Sequence, residues 1–139
     1  MVTKVFFSSI VNSNILAVAA PVKASGSDEI IGTLSVVVDQ KILDELVHSG
    51  IDLLGETADS YMVNEEGLLL TNTMLGKFRT NAALNETINT DSVQTLAPHI
   101  PSADYSFEQE VEYLDYEGTP VIGAIGVVNI GDTPAWFRS

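Results

Sequence analysis

Ser60–Met74 reads SYMVNEEGLLLTNTM. Two short apolar runs face each other across NEEG, and a polar TNT follows. Alternation puts Tyr61 and Val63 on one side of a strand and Met62 and Asn64 on the other. Gly67 closes the turn, where a residue at ease with positive φ is favoured. Leu68, Leu69 and Leu70 begin a returning strand. The stretch therefore reads as a hairpin, and its place in the chain sets the architecture.

Upstream of the hairpin the period is helical. In DQKILDELVHSGIDLL, Ile42, Leu43, Leu46, Val47, Ile51 and Leu54 recur at helix spacing. Asp39 suits the N-cap and Gly55 the stop, with Gly50 loosening the last turn. Before the helix lie three strands: TKVFFSS, ILAVAAPV and the β-branched IIGTLSVVV. The last two flank a short polar loop and read as a hairpin.

Downstream, Thr71–Asn89 is a long polar cover. Asp91–Ala97 forms a short helix capped by Thr90 or Asp91, and PHIPSAD is a loop. SFEQEVEYLDY alternates as a half-buried strand. VIGAIGVV is a buried strand whose two glycines thin one side. AWFRS opens a last strand, with Trp136 packing it on the core, and a strand signal running into the chain end is expected to continue. From Asp39 the order is helix, two strands, cover, three strands. This predicts an α+β fold, a PAS-like five-stranded antiparallel sheet with a long N-terminal helix. Residues 1–38 add three strands that must bury an apolar face elsewhere.

Composition narrows the function. Nineteen acidic residues against six basic ones give a formal charge of −13, which opposes nucleic-acid backbones and anionic lipid surfaces. The chain contains no cysteine, excluding thiolate chemistry and disulfides. No apolar run reaches the length of a membrane span. His48 and His99 lack metal-ligand spacing or a companion acid in any catalytic motif, so neither an enzyme, a metal site nor a cofactor is expected. Asn85-Glu86-Thr87 forms a glycosylation sequon.

The segments VFFSS, ILAVAAPVKASGSDEIIGTLSVVVDQKILDELV, GETADSYMVNEEGLLLTNTM, YEGTPVIGAIGVV and AWF resemble, in order, the double Cache family. These are extracytoplasmic ligand-sensing domains of membrane histidine kinases, chemoreceptors and cyclases. The resemblance implies that residues 1–38 are the last three strands of an incomplete membrane-distal module. Residues 39–139 would then be the linking helix and the membrane-proximal module. It also implies a non-catalytic sensor with a small-molecule ligand and a membrane-anchored parent protein.

Six residues are candidate ligand contacts. Thr71, Asn72 and Thr73 sit where the sheet hands over to its cover, although such residues more often satisfy loop backbone. Arg79, paired locally with Lys77, would suit the carboxylate of an anionic metabolite, against the plainer reading of an exposed loop cation. Tyr113 and Tyr116 flank the strand end and would line a pocket or simply pack. The unpartnered strands 1–38 predict a homodimer; the alternative is that they fold back onto the Asp39–Leu54 helix within one chain. A strand-mediated assembly module without ligand is the rival reading.

Overall fold

The computed structural model describes residues 1–130 and 133–138, with side chains described through Val128. Three strands open the chain: β1 (Phe6–Ser8), β2 (Ser13–Lys23) and β3 (Ile30–Asp39). They form an antiparallel sheet in the order β1-β2-β3. The helix α1 (Gln40–His48) follows β3 with no intervening residue. Asp39 is its N-cap, its carboxylate accepting from the Lys41 amide at 2.9 Å. The stop differs from expectation. Gly50, at φ +79°, ends the α-helical run, and a 3-10 turn, Ile51–Leu54, carries the chain on to Gly55. A left-handed residue cannot continue an α-helix, so the apolar period outlasts the helix itself.

The second sheet holds β4 (Met62–Val63), β5 (Glu108–Leu114), β6 (Pro120–Ile130) and β7 (Thr133–Arg138). Its order is β4-β7-β6-β5, all pairs antiparallel. The last strand lies between the first and its own hairpin partner. Leu68–Leu70 supplies the fifth, edge position beside β4 without a continuous ladder: Val63 bridges Leu69, and Leu68 bridges Thr87. The physical reason is local. The Met62 amide is taken by the Thr71 hydroxyl (2.9 Å) rather than by a backbone carbonyl, and Leu69 donates to Glu86. Gly67 adopts φ +77°, and a Cβ there would lie 2.4 Å from the Ile88 carbonyl. That turn therefore needs glycine both for its φ and for its space.

One face of this sheet is largely covered, the other only in part. One face carries α2 (Asp91–Leu96), capped by Thr90, over a core that includes Tyr61, Val63, Leu69, Val93, Leu96, Ile125 and Val127. The other holds α1 and the first sheet, through Val5, Leu16, Leu43, Val47, Met62 and Leu70. Alternation thus sends Tyr61 and Val63 to one core and Met62 to the other. Two expectations are corrected. β6 is buried along one face only: Ile125 is 1% exposed while Ile122 is 79% exposed. Its glycines also do not share a side, since positions 123 and 126 fall on opposite faces at period two. Gly123 lies beneath the Tyr113 ring and Gly126 beside the Phe107 carbonyl. The side chain of Trp136 and the turn at 131–132 lie outside the described residues. Among the described residues no helix is long and apolar enough to cross a membrane.

Candidate functional site

A cavity of about 1080 Å³ runs along β5 and β6. Its wall includes Asp59, Tyr61, Leu75, Tyr113 and Tyr116. Asp59 lies three residues before β4, and its carboxylate is held on the wall by the Ser60 and Met74 amides and the Tyr116 hydroxyl. Tyr116 stands at the β5–β6 turn, which Asp115 ties by accepting from the Glu117 and Thr119 amides, each at 2.8 Å. Tyr113 covers Gly123 so closely that a Cβ there would meet its ring at 2.9 Å.

Tyr116 is the hub of this wall. Its ring meets Tyr61 edge-on at 5.9 Å and Phe78 at 5.3 Å. Its hydroxyl donates to the Asp59 carboxylate and lies 3.1 Å from the Leu75 carbonyl. Burial, then the hydrogen bond to the Asp59 carboxylate, push the Tyr116 hydroxyl well above the usual phenol range, which keeps it a donor. Asp59 in turn accepts from the Ser60 amide at 2.8 Å and the Met74 amide at 2.7 Å. The charged residues among those described on the cavity wall are all acidic: Asp59, Glu108, Asp115 and Glu117. A negative lining with no cationic side chain among its described residues, beside aromatic rings, favours a cation over an anion.

The six sequence candidates separate. Tyr113 and Tyr116 line the cavity; Thr71, Asn72, Thr73 and Arg79 do not. Thr71 and Thr73 are buried, the first holding the Met62 amide and the second donating to the Leu75 carbonyl at 2.7 Å. Asn72 is engaged at every polar atom by α1 and by residues 82–83. Arg79 is exposed at the end of a 3-10 turn, Gly76–Phe78. Asp59 and Leu75 were missed by sequence reasoning. Neither carried a local signal, since Asp59 lies outside the strand and Leu75 acts through its backbone carbonyl.

Neither histidine lines the cavity. His48 donates to the Asn72 carbonyl at 2.9 Å. His99 stacks on Phe107 and pairs with Asp104 at 3.1 Å. Hydrogen bonds from Ser106 and from His99 hold the Asp104 carboxyl below the usual range.

No family model matches the chain, and neither does any curated protein. Solved structures do. The periplasmic sensory domain of the Campylobacter jejuni chemoreceptor Tlp1 matches with a TM-score of 0.64 at 14% identity, over 99% of this chain and 46% of that one. A structure described as the extracellular domain of a histidine kinase, mmHK1S-Z2, matches at 0.60 and 18% identity, over 99% and 49%. The ligand-binding domain of the Pseudomonas aeruginosa amino acid chemoreceptor PctC, in complex with GABA, matches at 0.56 and 17%, over 99% and 53%. The chain spans about half the length of these sensor domains and shares their PAS-like fold.

Proposed function

We propose that this chain is an extracytoplasmic, non-catalytic ligand-sensing domain of a membrane receptor of the chemoreceptor or histidine-kinase type. The fold supports the class, and the cavity along β5 and β6 supports the binding role. The ligand is a small amine-bearing metabolite. The observation that carries this is the wall of tyrosines and carboxylates around Asp59, with no lysine, arginine or histidine among its described residues. An ammonium group there gains Coulomb attraction in a partly dry site and contact with the ring faces of Tyr113 and Tyr116. Arg79, on which an anionic ligand rested, stands away from this cavity. GABA, held by PctC, and L-leucine, held by the Pseudomonas fluorescens chemoreceptor CtaA, both carry an ammonium group beside their carboxylate.

The test is a thermal-shift panel of neutral amino acids, GABA, linear polyamines and simple dicarboxylates, with calorimetry on any hit. A ligand that binds the native state raises the midpoint. An amine is expected to do so in the wild type and to lose affinity in Tyr113→Ala, whose side chain lies away from the Asp59 hydrogen bonds. A panel in which only dicarboxylates shift the midpoint, or none of the compounds does, would overturn the reading.

A second copy of the chain is the proposed partner. On β3, Ile30, Ile31, Leu34, Val36 and Val37 are exposed, as are Ile42 and Leu46 on α1. So much apolar surface on a single strand favours self-association.

A further inference from the structure

Asn72 sits in a short strap, residues 72–75, that the protein grips from two sides. On one side is α1. The Asn72 amide and its Nδ2 donate to the two oxygens of Asp44, each at 2.8 Å. One helical turn further on, His48 Nε2 donates to the Asn72 carbonyl at 2.9 Å. The Asn72 side-chain oxygen accepts from the Ala82 and Ala83 amides at 2.9 and 3.2 Å, which fixes the side chain in the orientation that Asp44 needs. On the other side is the cavity wall. Met74 donates to Asp59 at 2.7 Å, and the Tyr116 hydroxyl reaches the Leu75 carbonyl at 3.1 Å. The strap lies beside buried structure, with Thr71 fully buried and Thr73 nearly so. A parallel link joins the same partners: buried Ser60, next to Asp59, donates to the Val47 carbonyl of α1 at 2.7 Å.

These bonds are directional and short, and they span elements that share little else in sequence. Asp44 and His48 are four residues apart, on one helix face. That helix continues β3, the strand that closes the first sheet. A carboxylate held by two donors of one asparagine resists both rotation and translation of the helix against the strap.

We propose that Asn72 is a positioning residue that couples the cavity wall to α1, so that a displacement of Tyr116 or Asp59 is passed through the strap to the helix and on to the first sheet. Asn72 then serves as a clasp within the protein. The coupling does not depend on which ligand fills the cavity, or on whether one does.

The test needs no ligand. Backbone hydrogen exchange is measured on the full chain as wild type, Tyr116→Phe, Asn72→Ala and the double variant. Tyr116→Phe removes the hydroxyl that touches Asp59 and Leu75. It is expected to speed exchange across Leu43–His48 on the order of threefold or more, with α2 unchanged, and this increment should shrink in the Asn72→Ala background to what the Ser60–Val47 bond alone carries. Should Asn72→Ala fail to fold, Asp44→Asn replaces it in the cycle, since it weakens one side of the same clasp. Exchange in α1 that is unaffected by Tyr116→Phe would overturn the proposal. So would an increase shared equally by α1 and α2, which marks uniform destabilisation, or an α1 response that is undiminished without Asn72.

Discussion

Tyr116 shows how one side chain can carry both packing and charge. Its ring is wedged between Tyr61 and Phe78 while its hydroxyl meets Asp59. Burial and the neighbouring carboxylate raise its pKa above the ordinary value near 10. The sign of the linkage follows. Folded Tyr116 keeps its proton at a pH where the unfolded phenol has lost it. Its stabilising contribution is therefore complete below about pH 10 and declines as pH rises from there towards the folded pKa. Denaturation midpoints should show wild type more stable than Tyr116→Phe at pH 8, with the gap narrowing above about pH 10. A gap that stays constant with pH would mean that the hydroxyl is not shielded as described. Asn72 is the contrasting case. Its residue type invites a ligand contact, but its neighbours use every polar atom it has.

At the scale of elements, α1 belongs to both halves of the chain. Leu43 and Val47 are buried against Val5, just before β1, against Leu16 of β2, and against Met62 and Leu70. The larger core, by contrast, is drawn wholly from residues after Asp39. The proposed division at 38/39 therefore predicts that residues 39–139 fold alone and cooperatively. They do so at a cost of about 3–6 kcal/mol, the worth of two buried aliphatic side chains. Urea unfolding of that fragment beside the full chain measures the difference. A fragment lacking any cooperative transition would show that the first sheet is integral to the fold.

For the whole molecule, the first sheet leaves an apolar surface that α1 covers only in part. Val5, Leu16 and Val38 pack on or beside the second core, whereas Leu34, Val36 and Val37 are each more than half exposed. A symmetric dimer through β3 is expected, because self-complementary surfaces close most readily as pairs. The charge of −13 opposes it, so dimerisation should strengthen as salt screens the repulsion. Sedimentation at micromolar concentration, with Val36→Lys as the disrupting variant, measures this. A wild type that stays monomeric across salt would remove the dimer.

Local chemistry settled what the sequence could determine. A helix capped by Asp39, a turn at Gly67 and a helix capped by Thr90 all rest on interactions within a few residues, and the three strands showed in their apolar, β-branched runs. The alternation at Tyr61–Val63 likewise marked core positions without knowledge of their partners. Tertiary structure decided the rest. The insertion of β7 beside β4 pairs residues more than seventy positions apart, which no local pattern encodes. The same holds for the cavity wall, where Asp59 and Tyr116 meet across 57 residues. It holds too for the clasp, where Asp44 and Asn72 meet across 28. A polar residue in a loop reads the same whether it awaits a ligand or holds a helix, because its partner is fixed only when the chain has closed around it.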